Sequence, residues 1–325
     1  MKGESCLAII DGTADLCILI LSYDRPEYLR EAVRSVLSQK VKPKRIMVLD
    51  NGSTAPVKEH IEEELAQGVE WVGAEVGHPS IWNFRRAITM AEGRFFMMMH
   101  DDDRLLPEFT EEIMRFLESH PEVIAVACNA YVIDDEGSRV GGLLCREERH
   151  DELLFEDRAE LVLHYSRSFL PFPSLVYRNG YPQEVPLHEE HGKVGDSLFL
   201  CQLAEKGKIA YLNRPLFEYR VHSGQDSSTW PFDEIRRRDD ILLGMVADDK
   251  GISRTVRHNL SRFETKQAML SVLSAFMTRR SIRSAFQKMS EVRSPLFNPL
   301  LIPLIMFDER RNITLLFRRI SKSMY

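Results

Sequence analysis

Cysteines are few in this 325-residue chain, and their spacing follows no recognisable pattern. There are five, an odd number, and no two of them form a C-x-x-C pair. Disulfide-stabilised secreted domains carry an even set of cysteines, and structural zinc sites use closely spaced pairs. The sequence therefore predicts neither kind of site and favours a reducing, cytoplasmic environment.

Long apolar runs are missing as well. The nearest approach to a membrane span is the segment 295–307, which contains three prolines and falls short of the roughly 20 residues that a spanning helix needs. Asp11 and Asp15 interrupt the region in which a signal peptide would carry its apolar stretch. We expect neither a transmembrane helix nor a signal peptide.

Charge is distributed unevenly, although the overall composition of 44% hydrophobic and 28% charged residues is that of an ordinary globular protein. The net charge of −6 combines 14 Lys and Arg against 4 Asp and Glu in residues 251–325 with 29 against 45 in residues 1–250. A basic tail on an acidic body predicts an anionic partner for the tail. The alternative is a solvated helical face with no partner.

Apolar strands and amphipathic helices alternate through the first 130 residues. The continuous apolar run 16–21 predicts a strand buried on both faces, and Pro26 suits the first turn of the helix that follows. Similar runs predict further strands at 45–49, 69–72, 95–99 and 123–128. This alternation predicts an α/β fold with a mostly parallel central sheet and helices on both faces.

The pattern changes in the second half of the chain. Residues 134–137 (D-D-E-G) predict a hairpin turn, and three more strands are predicted at 174–177, 209–212 and 216–221. Beyond residue 230 only helical patterns occur. We therefore predict an α/β domain over residues 1–230 and a helical, basic C-terminal region over residues 231–325.

Acidic and amide side chains follow three of the predicted strands. They are Asp24, the pair Asp50-Asn51, and the triplet Asp101-Asp102-Asp103. Ligands of such sheets bind at the carboxyl ends of the strands, so these groups are expected to share one crevice. Three adjacent carboxylates repel one another, and a divalent cation such as Mg²⁺ or Mn²⁺ relieves that repulsion. The alternative is that the acids merely decorate a helix N-terminus, where the helix dipole favours them.

Four ordered motifs carry a family resemblance. The first strand and its loop precede a helix with Ser35 and Gln39 in S-x-x-x-Q spacing, and residues 48–53 read V-L-D-N-G-S where the family has V-D-D-G-S. Residues 83–93 fit N-x-x-R-A-I-x-x-A-x-G, and residues 100–107 (H-D-D-D-R-L-L-P) fit a D-x-D metal loop. Over residues 17–110 the chain resembles the family-2 glycosyltransferases, which have the GT-A fold, a Rossmann-like α/β arrangement.

The resemblance implies a metal-dependent enzyme that moves a sugar, with inversion, from a nucleoside-diphosphate donor to an acceptor hydroxyl. UDP is the expected nucleotide, and Mn²⁺ or Mg²⁺ the expected cofactor. The implied nucleotide-binding residues are Ser22, Tyr23, Asp24, Asp50, Asn51, Asn83, Arg86, Asp101 and Arg220. The implied metal-binding residues are Asp102, Asp103 and His222. His100 stands where many relatives have an acid, so the register of the D-x-D triplet stays open.

The resemblance extends more loosely beyond the metal loop. Asp196 opens a predicted helix about 90 residues later, where family members carry an acid, and this position implies the general base. Its alternative role is that of a helix cap. Residues 219–227 resemble a Y-R-x-H-x-x-x-x-S stretch, in which Arg220 and His222 would meet the diphosphate or the metal.

Other functions fit the sequence less well. Asp11-Gly12-Thr13 is similar to the nucleophile loop of haloacid-dehalogenase-type phosphatases, but Ile9 stands where that loop needs an aspartate. A nucleotidyltransferase would need a glycine-rich loop after the first strand, and residues 22–26 contain no glycine. A catalytically inactive nucleotide-sugar-binding or scaffold module remains the alternative.

Expected partners follow from the resemblance and from the tail. They are a nucleotide-sugar donor and a saccharide or lipid-linked acceptor, in cell-surface polysaccharide synthesis; no nucleic-acid partner is expected. Apolar residues 296–307 lie between arginine pairs, which is typical of a segment in the interface of an anionic bilayer. We therefore expect peripheral contact of residues 279–322 with the inner face of the membrane. The alternatives are packing on the catalytic domain and a homo-oligomer contact.

Overall fold

The computed structural model describes residues 9–145, 150–165, 168–224, 232–246 and 259. The chain divides into two compact units, Met1–Val246 and Ala247–Tyr325. The structural description below concerns the first unit. The predicted membrane segment 279–322 and the predicted helices beyond residue 246 lie outside the described residues.

Strands and helices alternate as the sequence predicts. The strands are β1 Ile9–Ile10, β2 Thr13–Ser22, β3 Lys42–Asp50, β4 Glu70–Gly73, β5 Phe95–His100, β6 Arg104–Leu105, β7 Val123–Ile133, β8 Arg139–Leu143, β9 Glu152–Phe155, β10 Val176–Arg178 and β11 Lys208–Arg220. The α-helices are α1 Pro26–Leu37, α2 Glu62–Leu65, α3 Ser80–Met90, α4 Phe109–Ser119, α5 Arg158–Tyr165, α6 Gly195–Leu203 and α7 Phe232–Val246.

The strands form one mixed sheet, and eight of them follow the order β4-β3-β2-β5-β10-β7-β11-β6. Off this order, β1 pairs with β2, β8 with β7 and β9 with β11. Strand β2 pairs in parallel with β3 and β5, β3 with β4, and β7 with β11. Strand β10 lies antiparallel between β5 and β7, and β6 runs antiparallel to β11. The predicted α/β class is confirmed. The predicted parallel pairing holds for β4, β3, β2 and β5 and for β7 with β11, and an antiparallel strand, β10, is inserted between these two groups.

Strand β2 is buried on both faces, as its unbroken apolar run predicts. Leu16, Ile18 and Ile20 lie in one hydrophobic core together with residues of α1 and α4. The intervening residues are also buried and point to the opposite face because side chains alternate along a strand. Helix α3 contacts β2 as well. The carboxyl ends of β2, β3 and β5 are thereby fixed side by side.

Two details of the second half differ from the sequence prediction or refine it. The strands predicted at 209–212 and 216–221 are a single strand, β11, whose register against β7 shifts around Pro215. Proline has no N–H to donate to the ladder, so the pairing is interrupted there without ending the strand. The hairpin turn is confirmed: the Asp134 N–H donates to Ser138 O (3.0 Å), and Gly137 has a φ of +81°.

Helix α7 belongs to the first compact unit, since it contacts α5 and α6. Within it, Arg238 donates to the Tyr165 carbonyl oxygen at the end of α5 (3.4 Å). The predicted domain boundary at residue 230 stays a prediction. Among the described residues, no helix is long and apolar enough to cross a bilayer.

Replacing Ile18 with Ala tests the burial of β2. The side chain is fully buried, so the variant loses apolar burial and leaves a cavity, which lowers the free energy of unfolding by about 3 kcal/mol. Urea unfolding measures this. Val140→Ala, at a side chain that is 40% exposed on β8, is the matched control and should change stability by less than about 0.5 kcal/mol. Equal effects would contradict the described core.

Candidate active site

Two aspartates mark the ends of β2 and β3. Asp50 is 5% exposed, and its Oδ2 accepts the N–H groups of Gly52 (3.2 Å) and Ser53 (3.1 Å). Asp24 has a φ of +52°, and its Oδ1 accepts the N–H groups of Thr54 (2.6 Å) and Ala55 (2.9 Å). These hydrogen bonds lower the pKa of Asp24, and the one from Ala55 has the largest effect. The loop 52–55 therefore fixes both carboxylates.

The segment 74–79, between β4 and α3, packs directly on this loop. The Asn51 side chain donates to the His78 carbonyl oxygen (2.7 Å). Gly52 has a φ of +76°, and a Cβ built on it would lie 2.3 Å from the backbone of Val76. Only glycine fits this conformation and this close approach, which explains the G of the predicted V-D-D-G-S-like motif in terms of packing.

Asn83 and Arg86 project from α3 to the same edge of the sheet. The Asn83 amide donates to Leu49 O (2.8 Å), while Arg86 donates to Asp50 O (3.0 Å) and Val72 O (2.8 Å). Burial lowers the pKa of Arg86. Both residues position the ends of β3 and β4 beside the predicted nucleotide pocket. Their direct contact with a nucleotide stays a prediction.

Three buried carboxyl groups directly follow strand β5, at the same edge of the sheet as Asp24 and Asp50. Asp101, Asp102 and Asp103 are 1%, 5% and 1% exposed. Asp101 Oδ2 accepts the Tyr23 N–H from the end of β2 (2.9 Å). Asp103 Oδ1 accepts the Arg220 N–H from the end of β11 (3.0 Å). The predicted convergence of acids at one edge is therefore present in the structure.

Burial and mutual repulsion dominate the electrostatics of the triplet. Burial, reinforced by the charge of Asp102, raises the pKa values of Asp101 and Asp103. Burial acts in the same direction on Asp102, but the positive charges of His100 and Arg25 and the hydrogen bond from His222 outweigh it and lower its pKa. Of the three carboxyl groups, Asp102 alone has a lowered pKa.

The donor set fits a hard divalent cation. His100, Asp102 and Asp103 each offer one ligand atom, and these atoms lie within 4.8 Å of one another. Asp103 Oδ2 is buried and accepts no hydrogen bond from the described residues. Carboxylate oxygens are the ligands that Mg²⁺ and Mn²⁺ prefer, and a cation here would offset the repulsion. His100 was not among the predicted ligands, because the sequence marks it only as a departure from the family motif.

Comparison with known proteins decides the family. The family model described as Glycosyl transferase family 2 matches residues 17–180, just over half of the chain. The chain belongs to the family-2 glycosyltransferases. It is 22% identical to an uncharacterized glycosyltransferase of Haemophilus influenzae over 220 residues, 66% of this chain and 67% of the relative. It is also 24% identical to the glycosyltransferase GlyA of Streptococcus pneumoniae, covering 66% of this chain and 32% of that protein.

Solved structures support the fold. Residues 1–349 of S. aureus TarS, in complex with UDP-GlcNAc, superpose with a TM-score of 0.59 at 17% identity, covering 85% of this chain and 79% of that one. The mannosyltransferase PcManGT of Pyrobaculum calidifontis, in complex with GDP-Man and Mn²⁺, gives a TM-score of 0.54 at 12% identity, with coverages of 95% and 83%. The expected GT-A fold is confirmed.

Arg220 is hydrogen-bonded to the acidic loop of this glycosyltransferase, residues 101–103. The side chain is fully buried and donates to Asp102 O (2.9 Å) and to the turn carbonyls of Asp134 (3.1 Å) and Asp135 (3.0 Å). Its other guanidinium nitrogen lies 2.5 Å from Glu31 Oε2. The sequence prediction has Arg220 meeting the diphosphate or the metal, and that contact stays a prediction. Its nitrogens are bonded to the acidic loop and the hairpin turn, so in this structure Arg220 positions the acidic loop.

An ion-pair network that the sequence did not reveal surrounds Arg220. Glu31 also pairs with Arg104 (3.2 Å), and Glu218 pairs with Arg104 (2.8 Å) and Arg139 (3.0 Å). These residues come from α1, β6, β8 and β11, so they tie the hairpin turn to the acidic loop. No sequence signal identifies such pairs, because the partners are up to 189 positions apart (Glu31 to Arg220).

His222 and Asp196 have different surroundings. The Nδ1 of His222 accepts the Gly224 N–H (3.2 Å), so its Nε2 carries the proton and donates to Asp102 Oδ2 (3.0 Å). In this arrangement His222 supports a metal ligand, and direct ligation by it stays a prediction.

Asp196 lies in the first turn of α6 and accepts the N–H of Ser197 (2.6 Å). Burial raises the pKa of Asp196, and the charge of Arg238 partly offsets this.

Arg220→Met distinguishes a residue that positions the acidic loop from one that binds the nucleotide directly. A positioning residue supports the fold, so the variant loses the buried hydrogen bonds and the free energy of unfolding falls by about 3 kcal/mol. Arg214→Met, at a 51% exposed side chain paired with Glu112, is the matched control and should have an effect under about 1 kcal/mol. Wild-type stability combined with weakened nucleotide binding would instead make Arg220 a direct ligand.

Proposed function

We propose that this glycosyltransferase moves a sugar from a nucleoside-diphosphate sugar, with UDP as the nucleotide, to an acceptor hydroxyl with inversion at the anomeric carbon. The observation that carries the proposal is the hydrogen bond between the Tyr23 N–H and Asp101. It joins the Asp24 and Asp50 pocket to the acid triplet, so that one crevice offers a nucleoside pocket and a site for a diphosphate-bound cation.

Polar atoms in the nucleoside pocket support donor binding. Ser22 Oγ and Asn51 Oδ1 are buried and have no hydrogen-bond partner among the described residues. Buried polar groups are normally bonded, and a ligand that supplies hydroxyl and N–H groups would satisfy both atoms. The UDP-GlcNAc complex of TarS and the GDP-Man complex of PcManGT are structures of the same fold.

Asp102 and Asp103 are proposed to hold the cation, Mn²⁺ or Mg²⁺, with His100 beside them. A bound cation would neutralise the diphosphate and stabilise the charge that develops on it during departure. The chain's own contribution is to keep Asp102 ionised through Arg25 and His222 and to hold the loop through Arg220. The PcManGT complex contains Mn²⁺, which is consistent with this choice of metal.

Asp196 is proposed as the general base. The acceptor oxygen attacks the anomeric carbon from the side opposite the diphosphate, and its proton passes to the Asp196 carboxylate. The bond from the anomeric carbon to the diphosphate oxygen breaks, and the diphosphate leaves with the electron pair. A raised pKa makes a carboxylate a better proton acceptor as long as it stays ionised at the working pH.

The acceptor is proposed to be a saccharide or a lipid-linked saccharide used in cell-surface polysaccharide synthesis. We place the enzyme in the cytoplasm, at the inner face of the membrane, through residues 279–322. A homo-oligomer contact is the competing use of that segment. Sedimentation with anionic vesicles, compared between the full chain and a chain truncated before residue 279, distinguishes the two.

The competing function is an inactive nucleotide-sugar-binding or scaffold module. Both functions predict that UDP raises the melting temperature when Mn²⁺ is present. Only an enzyme slowly hydrolyses UDP-sugars and releases UDP in the absence of acceptor. A panel of UDP-, GDP- and dTDP-sugars, assayed with Mn²⁺ and with EDTA, tests the proposal; no nucleotide release from any of them would favour the inactive module.

Asp102→Asn tests the metal assignment. The variant keeps the shape of the side chain but loses its charge, so the Mn²⁺-dependent part of UDP affinity and nearly all turnover should be lost. Isothermal titration with and without Mn²⁺ measures the affinity. Asp151→Asn, at an exposed acid before β9, removes the same charge and should leave both quantities unchanged. Full turnover in EDTA would overturn the assignment.

Asp196→Asn tests the base. Turnover should fall by a factor on the order of 10² while donor affinity is kept. In the wild type, kcat/KM should fall as pH drops through the pKa of Asp196, and burial places this limb above the ordinary aspartate range. Arg238→Met removes a charge that lowers this pKa and should move the limb to higher pH. An unmoved limb, or near-normal turnover in Asp196→Asn, would leave Asp196 with only a structural role in the first turn of α6.

A further inference from the structure

Arg25 forms a bridge between two carboxylates of the acid triplet. It lies in the loop between β2 and α1, and its Nη1 is 3.0 Å from Asp101 Oδ1 and 3.1 Å from Asp102 Oδ2. Its Nη2 donates to Gly224 O (3.2 Å). One guanidinium thus bridges two buried carboxyl groups and links them to the end of the 222–224 segment.

The Asp102 carboxylate has two uses. Asp102 offers the ligand atom that lies within 4.8 Å of the ligand atoms of His100 and Asp103, and Asp102 also binds Arg25. A guanidinium and a divalent cation held by one buried carboxylate repel each other strongly, because the interior screens charge poorly. The two cations therefore compete for Asp102.

Arg25 is the more accessible partner of this bridge. Its side chain is 31% exposed, whereas those of Asp101 and Asp102 are 2% and 7% exposed. Arg25 also directly follows Tyr23 and Asp24, which belong to the proposed nucleotide pocket. An arginine displaced from a carboxylate favours a phosphate, which it can bind through two parallel hydrogen bonds. The donor diphosphate is the anion that the proposed function brings to this place.

We propose that Arg25 is an internal counter-cation that a divalent cation must displace from Asp102, and that the displaced Arg25 binds the donor diphosphate. This inference rests on the proposed function, since it takes the metal and the donor from there. Metal and nucleotide then bind synergistically: the metal alone must break the Arg25 bridge, while the nucleotide gives Arg25 a new partner. Such a coupling typically amounts to 5- to 150-fold in affinity.

The competition between Arg25 and the cation is tested by titrating the full-length protein with Mn²⁺. The EPR signal of free Mn²⁺ measures how much of the metal is bound. Without nucleotide, Arg25→Met should bind Mn²⁺ about tenfold more tightly than the wild type, because its competitor is gone. With saturating UDP, the wild type should gain Mn²⁺ affinity by a larger factor than the variant. Arg25→Lys restores the charge and should return the nucleotide-free affinity toward that of the wild type.

The matched control is Arg34→Met, on α1 and away from the triplet. Arg34 pairs with Glu63 and Glu64, and Glu64 keeps Arg30 as a partner (3.6 Å) when Arg34 is removed. This variant loses the same charge and should bind Mn²⁺ like the wild type. A purely structural role for Arg25 would weaken Mn²⁺ binding in Arg25→Met, since damage to a site does not tighten it.

The outcomes separate this inference from the proposed function. If the wild type binds Mn²⁺ with UDP but Arg25→Met binds Mn²⁺ no more tightly than the wild type, Arg25 is no competitor and only the inference fails. If neither protein binds Mn²⁺ under any condition, the proposed metal site fails and the inference fails with it. Tightening in Arg25→Met that is absent from Arg34→Met supports the inference.

Discussion

The mutual repulsion of three buried carboxylates at the end of β5 is the constraint on which the site depends. Asp101, Asp102 and Asp103 are almost inaccessible, and burying adjacent like charges is unfavourable unless positive charges or hydrogen-bond donors offset them. The chain provides partial compensation only. Burial and the charge of Asp102 still raise the pKa values of Asp101 and Asp103, and a cation bound beside them would offset that repulsion.

The compensating groups come from distant parts of the chain. Arg25 follows β2, Arg220 ends β11, and His222 lies just beyond it. Only the folded sheet brings them together, since β2 and β5 are neighbours and β11 reaches the acidic loop through β6. The electrostatics of the acid triplet therefore tie the two halves of the domain to each other. We expect cation binding to stabilise the fold as well as the donor complex.

Local patterns predicted the fold well and the contacts of the site only partly. The unbroken run 16–21 predicted the buried strand β2, and the acids after β2, β3 and β5 lie at one edge of the sheet as expected, because burial and strand ends are local properties. Arg220 was assigned to the diphosphate, and the Glu31 and Arg104 pairs were missed. The motif around Arg220 does not show that its guanidinium is turned inward, toward carbonyls of a hairpin 85 and 86 residues away.

The most direct test of the central claim is the position of Mn²⁺ in crystals grown with Mn²⁺ and UDP. We expect one anomalous scattering peak, bonded to carboxylate oxygens of Asp102 and Asp103, with the diphosphate of UDP on its open side. The claim that the triplet exists to bind a donor-linked cation would be contradicted by UDP seated in the pocket beside Asp24 and Asp50 with no such peak, or by Mn²⁺ bound away from these carboxylates.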